Sequence, residues 1–175
     1  MTPEEKDLLL KDLAARVPYK VMVEQTLFPS TIADKEQTLK SVQANDCVQL
    51  YWYKYIDEFV PIHCVKPYLR PMSSMTKEEK EELLNLLFDK ESNYFYIDEE
   101  GFIDGKTSDL MRDGLNYPAF GPINVVLYTD WLNAHHFDYR DLIKKGLALE
   151  ASEDILKYYK CRYQWGDKHN EKSSW

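Results

Sequence analysis

The densest concentration of reactive side chains in this sequence is the segment Asp130-Trp131-Leu132-Asn133-Ala134-His135-His136-Phe137-Asp138-Tyr139-Arg140-Asp141. It holds two of the four histidines and three carboxylates within twelve residues. Histidine and carboxylate are the usual ligands of a catalytic zinc or non-haem iron. Asp130, His135, His136 and Asp138 are therefore the candidate metal ligands, and a metal-dependent enzyme is one reading of the chain. The spacing works against it. Neighbours on a helix point roughly 100° apart, so His135 and His136 cannot aim at one ion unless the helix breaks, and no H-E-x-x-H is present. The plainer alternative has one histidine ending a helix or bonding a carbonyl while the other meets solvent. A further reading takes Trp131, His135, His136, Phe137, Tyr139 and Arg140 as a partner-binding surface, since aromatic and arginine side chains are enriched where interfaces concentrate their energy.

Other pairings carry less. His63-Cys64 places a base beside a thiol, but neighbours on a strand face opposite sides, which predicts a core Cys64 and an exposed His63. Asp98-Glu99-Glu100-Gly101-Phe102-Ile103-Asp104-Gly105 suggests a calcium loop. Counted from Glu100, however, the third position is Phe102 and the twelfth is Met111, where oxygen ligands are required. A hairpin turn explains the segment instead. No phosphate loop, dinucleotide fingerprint or nucleophile elbow occurs. The residues name no catalytic group and imply no cofactor.

Composition narrows the partners. The 175 residues carry a formal charge of −8. Docking on phosphate needs a basic surface, so nucleic acid is disfavoured, although Lys54, Lys66 and Arg70 with Trp52 and Tyr68 could pair charge with stacking in a local patch. Anionic membranes are disfavoured for the same reason, and no run approaches the roughly 18 apolar residues of a spanning helix. Three cysteines, Cys47, Cys64 and Cys161, without a CxxC pair predict reduced thiols rather than disulfides or zinc. The opening MTPEEKDLLLKDL is acidic and unlike a signal peptide. Together these predict a cytoplasmic protein.

The length suits one domain over residues 1–165 with a polar tail at 166–175. Thr2, Pro3 and Glu5 form a T-x-x-E capping box that opens a helix, with Leu9, Leu10, Leu13, Ala14 and Val17 as its apolar face and Val17-Pro18 as its end. Tyr19–Thr26, Glu36–Gln43, Cys47–Tyr55 and Pro61–Val65 read as strands of a small curled antiparallel sheet or barrel. PMSSM at 71–75 reads as a linker. Thr76 and Glu79 form a second capping box, with Leu83, Leu84, Leu87 and Phe88 as the stripe behind it. Residues 93–104 read as a hairpin and 105–122 as irregular. Ile123–Tyr128 reads as a strand or the approach to a helix, Thr129 or Asp130 as the cap of a short helix, and Asp138 as the cap of another that Gly146 stops. The expected class is α+β.

Three blocks carry a resemblance. They are Leu8-Leu9-Leu10-Lys11-Asp12-Leu13-Ala14-Ala15-Arg16-Val17-Pro18-Tyr19, then Val65-Lys66-Pro67-Tyr68-Leu69-Arg70-Pro71-Met72-Ser73-Ser74-Met75-Thr76, and the segment from Asp130 to Arg140 with Lys145-Gly146-Leu147-Ala148-Leu149-Glu150-Ala151. They resemble a family of uncharacterised small proteins from gut Bacteroidales and their phages or prophages. The chain departs from the family at 89–128 and beyond Ser152. The resemblance implies a phage or mobile-element setting in a bacterial host cell and transfers no catalytic residue. The function expected from all of this is non-enzymatic binding of an unidentified protein partner.

Overall fold

Two T-x-x-E sequences start the two best-defined helices, and a computed structural model displays both caps in full. It describes residues 1–27, 36–43, 45–51, 58–88, 95–105 and 125–159. The class is α+β, with helices, a mixed six-stranded sheet and a separate two-stranded hairpin. The chain divides into two compact units, one built from Met1–Leu69 with the segment from Ile143 onward, the other from Arg70–Leu142. Each is described by itself. The expected polar tail lies outside the described residues.

In the first unit, α1 (Pro3–Arg16) begins at Thr2, whose hydroxyl accepts the Glu5 amide at 3.2 Å while the Glu5 carboxylate accepts the Thr2 amide at 2.7 Å. Two of the first turn's orphan N–H groups are thereby satisfied. A 3₁₀ turn, Val17–Tyr19, follows where Pro18 ends the α-helix. The buried face differs from the expected apolar stripe. It consists of Leu9, Asp12, Leu13 and Arg16, while Ala14 is exposed. Asp12 and Arg16 sit one turn apart and are fully buried as a two-point ion pair, Nε to Oδ2 at 2.7 Å and Nη2 to Oδ1 at 3.1 Å.

The sheet comprises β1 (Met22–Gln25), β2 (Glu36–Val42), β3 (Cys47–Tyr51), β4 (Glu58–Pro61), β5 (Val65–Leu69) and β8 (Leu149–Glu150), in the order β4-β3-β2-β1-β5-β8. Neighbouring pairs are antiparallel except β5 with β8, where Tyr68 faces Leu149 in a parallel register. The order is linear, so the described strands form an open sheet with edges at β4 and β8 rather than a closed barrel. The expected strand Pro61–Val65 is instead the end of β4, a 3₁₀ turn at Ile62–Cys64 and the start of β5. Proline at 61 cannot donate to a ladder and stands at a strand end, as its missing N–H requires. Val23, Leu39, Val48, Leu50, Val60 and Leu69 are wholly buried, and with Val65 they carry the sheet's side of the core. A helix at 153–159, α4, returns to the sheet. The Tyr159 hydroxyl accepts the Met22 amide and donates to the Tyr68 carbonyl, both at 3.0 Å.

The second unit holds α2 (Lys77–Leu87), β6 (Phe95–Ile97), β7 (Ile103–Gly105) and α3 (Val125–Ala134). Its core gathers Met72, Met75, Leu83, Ile97, Trp131, Leu132 and Phe137. The stretch expected to be a linker is therefore structural: Met72–Ser74 is a 3₁₀ turn, and both methionines are buried. Methionine's unbranched thioether fills such irregular gaps. The hairpin forms where expected. Asp98 receives the Phe102 amide on its side chain at 2.8 Å, and Gly101 takes φ +92. A Cβ at 101 would stand 2.6 Å from the Met72 carbonyl oxygen, so only glycine fits. The expected short helix capped by Thr129 or Asp130 is longer and starts earlier, putting both residues inside α3; Thr129 bonds back to the Val125 carbonyl at 2.7 Å. The expected irregular stretch 105–122 lies almost wholly outside the described residues.

Candidate functional site

The end of α3 decides what the paired histidines do. The Phe137 amide donates to the Leu132 carbonyl at 2.9 Å and the His136 amide to the Asn133 carbonyl at 3.1 Å. This is the double closure of a Schellman motif, which requires a left-handed residue one place beyond the cap. His136 supplies it, with φ +59. Glycine usually takes that position, and histidine is among the residues that tolerate it best. The hydrophobic contact that accompanies the motif is also present, because the Trp131 and Phe137 rings lie 5.8 Å apart.

The left-handed turn separates the two imidazoles. His136 is buried. His135, 22% exposed, stacks on Trp131 with ring centroids 3.9 Å apart. Its Nδ1 lies 3.8 Å from Glu79 Oε1 and its Nε2 lies 3.7 Å from Glu82 Oε1. Glu82 also accepts the Trp131 indole N–H at 2.9 Å.

Glu79 is the centre of this cluster. Its carboxylate accepts Arg70 Nη1 at 2.7 Å and Nη2 at 2.8 Å. As the capping-box residue of α2 it also accepts the Thr76 amide at 2.9 Å. Burial alone would raise its pKa, but the hydrogen bonds from Arg70, the nearby His135 imidazole, the Thr76 amide and the Arg70 charge together outweigh burial and hold the carboxyl far below the usual carboxylate range. The Arg70 guanidinium in turn lies 4.2 Å above the Phe137 ring. The Arg70 and Phe137 backbones form a parallel bridge, with the Arg70 amide on the His136 carbonyl at 2.8 Å and the Asp138 amide on the Arg70 carbonyl at 2.7 Å.

This arrangement positions groups. Both oxygens of Glu79 accept hydrogen bonds, and the same donors hold its carboxyl far below the usual carboxylate range, so Glu79 is a weak base toward a substrate proton. The expected metal cluster does not assemble. Asp130 is exposed on α3, His135 faces α2, His136 is buried at the helix end, and Asp138 spends its Oδ1 on the Leu142 amide at 2.8 Å. Among the described residues, no three His, Cys, Asp or Glu side chains converge as metal ligands. Asp138 does cap a segment as expected, but residues 142–146 are turns rather than a helix, ending at Gly146 with φ +71.

The expected contact surface is corrected in the same way. Trp131, His136 and Phe137 are buried packing residues, and only His135, Tyr139 and Arg140 retain partial exposure. Tyr139 donates to Asn133 Oδ1 at 3.1 Å, and the Arg140 guanidinium lies 5.1 Å from the Tyr139 ring centroid. The aromatic and arginine content that suggested an interface belongs largely to a core. Of the residues suggested for nucleic acid, Arg70 is committed to Glu79, and Trp52 and Lys54 lie outside the described residues.

Among the described residues, an exposed apolar run lies at the other end of α3. Val125, Val126 and Leu127 are 63%, 67% and 41% exposed. An apolar run is a signal the sequence does contain, but such a run reads as a buried strand or a buried helix segment, and periodicity alone does not show that it is exposed. In the first unit, a cavity of about 470 Å³ is lined by Lys6, Asp46, Cys47, Pro61, Ile62 and His63 among others. The Lys6 amine pairs with the Asp46 carboxylate there. His63 is exposed and Cys64 buried, as expected, although both sit in a 3₁₀ turn rather than a strand.

Among the described residues, no helix is long and apolar enough to cross a membrane. Compared with protein-family models, curated proteins and solved structures, the chain matches none.

Proposed function

We propose that this chain is a non-enzymatic protein-interaction protein of the bacterial cytoplasm, of phage or mobile-element origin as its family resemblance implies. One observation carries the reading: Val125, Val126 and Leu127 are three successive large apolar side chains, all exposed, at the start of α3. Single exposed apolar residues are ordinary, but three at successive helical positions, about 100° apart, leave the first turn of α3 apolar on several sides, which costs solubility and marks the turn for a contact. The contact face is therefore the first turn of α3 rather than the segment 131–140. The cluster around Glu79 supports a binding role over catalysis, because its carboxylate is spent on holding Arg70 and the opposite, C-terminal end of the same helix. The Cys47 and Cys64 thiols fit a reducing compartment.

A photo-crosslinking residue at Val126, with one at the exposed Glu153 as reference, tests this in the host cell. The expected result is a discrete protein adduct at 126 that excess unmodified protein competes away. Identical, uncompeted adducts at both positions would end the reading.

A further inference from the structure

His135 stands at the C-terminal end of α3 with both ring nitrogens toward carboxylates of α2. Its Nδ1 lies 3.8 Å from Glu79 Oε1, and its Nε2 lies 3.7 Å from Glu82 Oε1. A neutral imidazole carries one N–H and one bare lone pair. Either neutral tautomer therefore aims a lone pair at a carboxylate oxygen, and only the doubly protonated ring offers an N–H to each. The charge balance points the same way. Two carboxylates, Glu79 and Glu82, outnumber the one guanidinium, Arg70, and an imidazolium makes the cluster neutral. The other charged residues of α2 are Lys77 and Glu81, which pair with each other, Lys80, which gives its amine to the Asp98 carbonyl, and the exposed Glu78. From its own helix and the turn beyond, the ring meets two uncharged rings, Trp131 at 3.9 Å and Phe137 at 6.4 Å between centroids.

Two further features favour a cation at this place. The end of a helix concentrates partial negative charge, which a cation offsets, and α3 ends at Ala134. An indole face also attracts a cation laid over it. We propose that His135 is a proton-operated latch. Charged, it clamps the end of α3 to α2 through Glu79 and Glu82; neutral, it gives up one of those two contacts. Imidazole is the side chain whose charge ordinarily changes between about pH 5 and pH 8, so the latch closes on mild acidification and opens as the pH rises. Glu79 stays ionised over that range, because its donors hold its carboxyl far below it. Glu82 is 58% exposed and Glu79 18%, so solvent screens the Glu82 half of the contact more. The latch lies within the second unit and does not depend on what covers Val125–Leu127.

The test uses the full chain with nitrogen-15-labelled histidine, titrated by NMR from about pH 8 to about pH 5. The His135 ring is identified by its contacts with the Trp131 indole. Glu82→Gln removes one charge and keeps an acceptor for that indole, which Glu82 Oε1 now binds at 2.9 Å. In this variant the ring should take its second proton at a pH lower by at least about 0.3, a twofold loss of proton affinity. No change, or a change upward, overturns the proposal. The second measurement is thermal unfolding of wild type and His135→Gln. The charged ring is the form the fold favours, so its stabilisation is present at low pH and lost as the pH rises. The gap in midpoint should be wider near pH 5.5 than near pH 8 by at least about 2 °C. A gap that is constant, or wider near pH 8, overturns the latch. If His135→Gln does not fold, the titrations of wild type and Glu82→Gln decide alone.

Discussion

Glu79 holds Arg70 through both terminal guanidinium nitrogens, at 2.7 and 2.8 Å, with the oxygen atoms of the same carboxylate that caps α2. A residue chosen by the local grammar of a helix start has thereby become the anchor of a long-range pair. Charge-assisted two-point bonds of this kind are shorter and stronger than neutral ones. Both partners are largely buried, so solvent screens them less than a surface pair.

Replacing Glu79 with Gln should destabilise the protein by about 2 kcal/mol, the usual range for hydrogen bonds to charged groups. Glutamine still serves as a capping-box residue, so the loss reports the Arg70 pair. Arg70→Lys should cost a similar amount because lysine lacks the fork. Urea unfolding of both variants and their double mutant should show marked non-additivity; simple additivity would mean the pair contributes nothing.

Acid should weaken the protein through the same carboxyl. Its folded-state pKa lies below the ordinary 4.5, so the unfolded chain takes up the proton first. The stabilisation is fully present above that value and is lost as pH falls through it toward the folded value. The gap in unfolding midpoint between wild type and Glu79→Gln should therefore narrow between about pH 6 and about pH 3. A gap that is constant or widens contradicts the assignment.

Asp12→Ala leaves Arg16 charged in the core of the first unit and should cost about 3–5 kcal/mol. Asp12→Leu with Arg16→Met removes both charges and should be milder than the single change. Thermal unfolding of the three proteins decides it; a double variant worse than Asp12→Ala would show that the ion pair is more than a satisfied burial.

His136 is held at φ +59. Valine there adds the left-handed penalty of a β-branched residue, about 1–2 kcal/mol, to the loss of the ring. His136→Asn tolerates the backbone and should be more stable than His136→Val by at least about 1 kcal/mol. Equal stabilities would show that ring packing, not the Schellman turn, governs the position.

Both helix starts were legible because a capping box is a contact between residues three apart, and no distant part of the chain is needed to make it. The hairpin at Asp98–Phe102 was legible for the same reason. The sheet was legible in part: β2 and β3 are long enough to display their pattern, whereas β8 has two residues and exists only because β5 pairs with it. The candidate site was legible least. The segment 130–141 was the right neighbourhood, but its aromatics read as an interface and are mostly core. The apolar run before it read as a strand or the approach to a helix; the structure takes the second form and exposes its Val125–Leu127 part.

The sequence by itself determined where helices begin, that His135 and His136 cannot share an ion on a continuous helix, and that the chain as a whole is acidic. These depend on neighbours in the chain and on composition. Tertiary structure alone decided that Glu79 meets both Arg70 and His135, that Asp12 and Arg16 turn inward together, and that the apolar first turn of α3 is left exposed. Those outcomes depend on which helix faces are covered within each unit, and the same polar or apolar residue reads alike in the sequence whether it is covered or bare.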